Sequence, residues 1–402
     1  MSTIAPEMSA DALAGAGCSA HSMQTPAESL TVFTFWRGRV ALYAILKALG
    51  IGAGDHVIVP GYTCFAVPAA VQFAGAAPIY ADIEPATYNV SLGTVQGAFK
   101  SNPAASVKAI LIQHTFGIPA DTEPLVRWAR ERGIYTIEDC AHAWGTRYRT
   151  CSGEWMDVGA LGDAAFYSSQ WTKPVSTGVG GWARINCPEI RDAVRRFQEE
   201  NCEAPARSEV IVLAAQLAAR GVLSHPRLTR TVKAAYQALY SRGIVAGTSS
   251  VEELHGRMPA GYAKRMSHLQ EWLLHRKLRD DSIVTHRRRL KTIYDRELGN
   301  AGLGVLQIPE YAEPVLLRYP VRVRMKDDVL REAGKRGFEI GDWYAAPVDH
   351  PKDVSLDAFD YRRGMCPEGE RAALETINLP MNRTTSERAA RKMAAFLAKA
   401  TR

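Results

Sequence analysis

Two adjacent acids, Glu138 and Asp139, close the run IYTIEDC (Ile134–Cys140). Its apolar, β-branched content is that of a buried strand, so the acids fall at a strand's C-terminal end, where open α/β sheets bind their ligands. A carboxylate there can hold the protonated nitrogen of a pyridine ring, and a positive ring draws electrons from a carbanion. Asp139 could equally cap the next helix. Lys173 stands in FYSSQWTKPVSTGVGG, just past a second apolar strand and inside a Ser/Thr/Gly-rich turn. An amine desolvated enough to be neutral part of the time forms an imine with a carbonyl; an exposed surface lysine is the plainer alternative. Ser168, five residues before Lys173, could donate to a phosphate. Gly178, Gly180 and Gly181 let the backbone turn sharply beside a ligand. Gly38-Arg39 open a helical stretch, and free N–H groups at a helix start suit a phosphate.

The elements that must position these residues read as an α/β protein. RVALYAILKALG (Arg39–Gly50) has apolar residues at helical spacing and stops at glycine. HVIVP, PIYADI, AILIQHT, IYTIEDC, AAFYSS and GGWARIN read as strands, with the helical stretches VPAAVQFAG and TEPLVRWARERG among them. Such alternation gives a mostly parallel sheet covered on both faces. Residues 203–250 read as a basic helical insert, with Arg207, Arg220, Arg227, Arg230, Lys233 and Arg242 against Glu203 and Glu209. His275–Leu298 reads as one long helix with a solvated charged face. Short elements then return, among them VLLRYPVRVRM, FEIGDWY and a final helix SERAARKMAAFLAKA. The expected division is a mobile arm (1–30), a large ligand-binding domain (31–255) and a smaller α+β C-terminal domain (256–402).

The 402 residues suffice for two domains. The net charge of +7 suits anionic partners or simply favours solubility. Seven cysteines without a CxxC pair argue against a disulfide framework or zinc ribbon and for a reducing compartment, the cytoplasm. No run is long and apolar enough to span a bilayer, the start does not read as a secretory signal, and no nucleic-acid recognition motif or metal-ligand pattern is present.

In order along the chain, GRVALYAILKALGIGAGDHVIVPGYTC, PIYADIEPATYNV, QHTFGIPAD, IEDCAHAWG, GDAAFYSSQWTK, TGVGG, GYAKRMSHLQ and INLPMN resemble the segments of the DegT/StrS-type sugar aminotransferases. The resemblance runs from about Trp36 to Leu397. It implies the aspartate-aminotransferase-like fold and pyridoxal 5'-phosphate as cofactor. Lys173 matches the imine lysine that also shuttles a proton, Asp139 the pyridine-nitrogen partner, His142 the group beside the phenolic oxygen, and Ser168 a phosphate ligand. Cys64 matches the loop position beside the cofactor ring, where the family often has an aromatic; Tyr62 or Phe65 would then have to supply the stacking. Arg39 stands where the family often has threonine. Ala263-Lys264 stand at an asparagine that reaches the neighbouring subunit's phosphate in a homodimer. Arg39 and Lys264 are therefore expected to compensate at the phosphate. The implied reaction moves an amino group from glutamate or glutamine to a keto sugar, nucleotide-linked, with specificity set around Trp343, Tyr344 and His350. A keto-cyclitol acceptor, a sugar dehydratase (which often carries histidine in place of the lysine) and a non-catalytic regulatory protein are the alternatives.

Overall fold

A computed structural model describes residues 32–223, 249–350 and 354–400. The expected N-terminal arm and residues 224–248 of the insert, with Arg227, Arg230, Lys233 and Arg242, lie outside the described residues.

In chain order the first elements are β1 (Val32–Phe35), α1 (Gly38–Ala48), β2 (Asp55–Pro60), β3 (Thr63–Cys64), α2 (Ala66–Ala74), β4 (Ala77–Ala81), α3 (Leu92–Lys100), β5 (Ser106–Gln113), α4 (Thr122–Arg130) and β6 (Tyr135–Asp139). Then come β7 (Arg147–Arg149), β8 (Trp155–Asp157), β9 (Ala164–Ser168), β10 (Gly181–Ile185), α5 (Pro188–Asn201) and α6 (Arg207–Leu223). Seven strands form one sheet in the order β1-β10-β9-β6-β5-β2-β4. β4, β2, β5, β6 and β9 are parallel, and β10 runs antiparallel between β9 and β1.

Alternation along the strands builds two cores. Val57 and Val59 of β2 face the layer of α1, α2 and α5, with Leu111, Ile137 and Phe166 from the next strands. Ile58 faces the opposite layer of α3 and α4, with Ile110, Ile112, Leu125 and Trp128. Apolar side chains on both faces are what a central parallel strand requires.

The C-terminal part packs helices Ser282–Asn300, Lys326–Lys335 and Glu387–Ala400 around a two-stranded antiparallel pair, Arg318–Arg322 with Thr376–Pro380. Leu290, Tyr294, Ile377, Leu379, Phe396 and Leu397 form its core, which continues into Tyr62, Tyr88 and Phe116 of the first part. A short parallel pairing of Thr63-Cys64 with Val348-Asp349 also joins the two.

Two expectations are corrected. His275–Leu298 is not one helix: it breaks between Leu278 and Ser282. The break is where Asp280 turns its carboxylate onto the Ser282 N–H at 3.0 Å, the local competition by which Asp starts a new helix. FEIGDWY forms no strand; only Gly341 bridges to Asn378, because Asn378 spends its side-chain oxygen on the Trp343 N–H at 2.7 Å and turns the chain there.

Candidate active site

The parallel strands deliver their C-terminal ends to one edge. Asp139 pairs with Gln113 and Phe166, and Ser168 with Gly181, so the ends of β5, β6 and β9 and the start of β10 lie side by side. β1 ends against Gly181 and feeds α1 into the same edge. This approach needs glycine on both sides. A Cβ on Gly181 would fall 2.2 Å from Gly38 Cα, and one on Gly38 would fall 2.9 Å from the Tyr167 carbonyl. The start of α1, whose first N–H groups have no partner within the helix, is thereby set next to Ser168.

A pocket open to solvent lies at this edge. Gly38, Arg39, Cys64, Asp139, His142, Ser168 and Lys173 all line it, together with Arg37, Gln170 and Tyr344. Seven of the eight residues expected to supply the imine amine or contact the cofactor are thus brought together. The eighth, Lys264, does not line the pocket of its own chain; its ammonium is held by both oxygens of Glu209 at 2.8 Å.

Lys173 is presented by a closed loop. Ser169 N–H donates to the Gly180 carbonyl at 2.9 Å, Thr177 N–H donates back to Ser169 at 2.8 Å, and the Lys173 N–H donates to Gln170 at 2.9 Å. Gly178 and Gly180, at φ of +91° and +149°, make the return turn. Burial lowers the Lys173 pKa to about 8; Arg318 and Arg287 push the same way, while Cys64 and Asp139 oppose. Its ammonium lies 4.9 Å from the centre of the Trp343 ring.

The two acids of β6 part company. Glu138 is fully buried, and its carboxylate accepts from the Gly159, Leu161 and Gly162 N–H groups at 2.7–2.9 Å and meets His114 Nε2 at 3.0 Å. Burial works against its ionisation, but those hydrogen bonds win and hold it below the usual carboxylate range. Its bonds are used up in fixing the 159–162 turn. Among the described residues Asp139 accepts only the Ala141 N–H, at 2.9 Å, and burial raises its pKa against the pull of that bond and of Lys173. It is the acid with capacity to spare for a cationic partner.

His142 Nδ1 accepts the Phe116 N–H at 3.2 Å, which places the proton of the neutral ring on Nε2, facing Tyr344 Oη at 3.2 Å. Burial holds its pKa far below the ordinary histidine value, with help from Lys173, Arg318 and Arg287. Arg39 donates to Ser249 and to Glu253, each at 3.0 Å, and Arg37 reaches the other oxygen of the fully buried Glu253 at 3.0 Å. Cys64 lines the pocket with its thiol pKa raised by burial. Neither Tyr62 nor Phe65 takes its place. Tyr62 is packed among Tyr88, Phe116 and Tyr344, and Phe65 against Phe359. Trp343 and Tyr344 belong to the site, whereas His350 packs against Phe359.

Sequence reading missed Arg37, Gln170 and Glu253. Arg37 was visible as the residue before a helix-opening glycine, but nothing in the sequence pairs it with an acid more than 200 positions away.

A mostly parallel sheet carrying a lysine and an aspartate at its C-terminal edge, beside a helix start, is the frame of a cofactor-dependent group-transfer enzyme. The chain belongs to the DegT/DnrJ/EryC1/StrS aminotransferase family, whose model matches residues 27–398. It is a pyridoxal-phosphate-dependent aminotransferase. It is 27% identical over 349 residues to a pleiotropic regulatory protein of Geobacillus stearothermophilus, covering 86% of this chain and 78% of that one. It is 36% identical to a GDP-perosamine synthase of Escherichia coli O157:H7 over 41% of this chain and 43% of that enzyme. With an L-glutamine:scyllo-inosose aminotransferase of Streptomyces griseus it shares 38% over 36% of this chain and 32% of that enzyme. The aligned stretches thus span less than half of these two enzymes. Solved structures share the fold: a family aminotransferase of Brucella abortus matches with a TM-score of 0.69 at 21% identity, covering 92% of this chain and 86% of that one. A sugar aminotransferase of Micromonospora echinospora matches with a TM-score of 0.67 at 21% identity, covering 92% and 87%.

Proposed function

We propose that this chain transfers an amino group from glutamate or glutamine to a keto sugar carried on a nucleotide, with Lys173 as the amine that holds the cofactor and moves the proton. The observation that carries this reading is the pairing, across one pocket, of an amine whose pKa burial brings to about 8 with an aspartate that has bonding capacity to spare. The pocket fits pyridoxal phosphate. The Gly38–Gly181 approach leaves a side-chain-free cradle at the start of α1, next to Ser168 and the Arg39 guanidinium, which suits a phosphate. When bound, the cofactor supplies a carbonyl for an amine and a positive ring that accepts an electron pair.

This chain's residues do the rest. Asp139 would hold the protonated ring nitrogen through its carboxylate. His142 offers its Nε2 proton from a ring that stays neutral. Lys173 Nζ, whose pKa burial lowers to about 8, would hold the cofactor and move the proton. Arg39 is oriented by Glu253, and Lys264 serves the neighbouring subunit of a homodimer. Trp343 and Tyr344 limit water at the amine. The names of the perosamine and inosose relatives support a sugar or cyclitol acceptor, and the net charge of +7 supports an anionic one. The six cysteines among the described residues are all free, which supports the cytoplasm. No described helix is long and apolar enough to cross a membrane.

The test is spectroscopic. The protein loaded with pyridoxal phosphate should absorb visible light, glutamate or glutamine should bleach it, and a keto sugar nucleotide or keto-cyclitol from a panel should restore it. A loaded protein that no amino donor bleaches would refute the reading and favour a dehydratase.

A further inference from the structure

Two cations beside the site form no ion pair among the described residues. Arg287 is 3% exposed; its Nη1 donates to the Leu316 carbonyl at 3.3 Å and its Nε has no partner among the described residues. Arg318 stands on the adjoining strand, and only Glu339 draws on it, without forming an ion pair among the described residues. Burial lowers the pKa of both, and each arginine also presses on Lys173 and His142. Keeping two such charges together is costly unless an anion comes to them.

Their placement says which anion. One indole ring, that of Trp343, has Lys173 Nζ 4.9 Å from its centre, Arg318 Cζ 5.8 Å away and the His142 ring 4.9 Å away. A fourth group borders the same space. A Cβ at Gly341 would sit 3.6 Å from Asn378 Oδ1 and 3.7 Å from Arg318 Nη1. Asn378 is fully buried, and its side-chain N–H₂ has no partner among the described residues. A guanidinium fork and an unused amide donor match a carboxylate. An α-amino acid that brings its nitrogen to the place of the Lys173 amine carries its carboxylate one carbon away.

We propose that Arg318, backed by Arg287 and joined by Asn378, binds the carboxylate of the amino donor on the Trp343 side of Lys173. The assignment rests on the aminotransferase reading above. A carboxylate on the acceptor sugar has the same chemistry, so the two half-reactions are measured separately. In the Arg318→Gln variant, the glutamate or glutamine concentration that half-bleaches the loaded protein should rise roughly 10- to 100-fold. Arg318→Lys should recover part of the loss. Restoration of absorbance by the keto acceptor, starting from the aminated form, should keep its concentration dependence. Calorimetric titration with glutarate, which has carboxylates and no amine, should give heat with wild type and none with Arg318→Gln. Equal thermal midpoints would show that the variants fold. A bleaching curve or glutarate heat unchanged in Arg318→Gln would overturn the assignment alone, as would a loss confined to the acceptor half. A wild type that no amino acid bleaches would overturn the wider reading and this one with it.

Discussion

Arg39 and Glu253 meet at 3.0 Å under the start of α1, and Glu253 is completely buried. The second oxygen of Glu253 takes Arg37 at the same distance. The acid thus fixes two guanidinium groups that both line the pocket. Arg39→Ala should weaken pyridoxal phosphate binding about tenfold or more, read by absorbance titration of the stripped protein. Unchanged affinity would remove Arg39 from the phosphate site. Glu253→Gln should cost roughly 2–3 kcal/mol, less than for a fully buried pair because the arginines are partly exposed, and should appear as a lower thermal midpoint.

Lys173 is an amine held against its own preference for charge. With its pKa lowered to about 8, the stripped protein should capture pyridoxal phosphate at a rate that rises with pH through about 8. The rate should level off above that pH, whereas an ordinary lysine would keep gaining up to about 10. The sign for stability follows: between about 8 and the ordinary lysine value the unfolded chain binds the proton and the folded chain does not, so the stripped protein gains stability as pH rises through that window. Below it the penalty is complete. Lys173→Met should therefore end the bleachable absorbance while raising stability at neutral pH by up to about 3 kcal/mol.

Asp139→Asn keeps the shape of the site and removes its negative charge. Cofactor binding should survive, and kcat should fall roughly 100- to 1000-fold, seen as slow bleaching by the donor at saturation. Bleaching at the wild-type rate would reduce Asp139 to a cap for the Ala141 N–H.

His142→Phe should cost about 1–3 kcal/mol, because the buried Phe116 N–H loses its acceptor. Since burial keeps His142 neutral, the acidic limb of the rate profile should be unmoved in His142→Asn. A shifted limb would mean that this ring titrates during the reaction.

The parallel frame was legible because strand ends announce themselves: an apolar run closing on Glu138-Asp139, or on Ser168 before a glycine turn, needs no distant partner to be read. The family resemblance picked Asp139 over Glu138, but the physical reason needed the structure, since the 159–162 N–H groups that occupy Glu138 come from a turn with no strong signature. Lys264 shows the same limit. Its charge was evident, but Glu209 sits 55 positions away on α6. The helix break at Asp280 was missed because the charged periodicity on either side continues in register. The chemistry was legible where it depends on local punctuation. It was hidden where one side chain answers another across the fold.

The pairing of Thr63-Cys64 with Val348-Asp349, and of Tyr62 with Tyr344, sets a timetable. A ribosome making this chain produces the phosphate cradle, Asp139 and Lys173 long before residue 344. The strand partner of the Cys64 loop, Val348-Asp349, is made much later. Capture of the cofactor therefore waits for that segment, and a truncation before residue 344 should leave a protein with every residue of the cradle and an unfinished pocket to hold its guest.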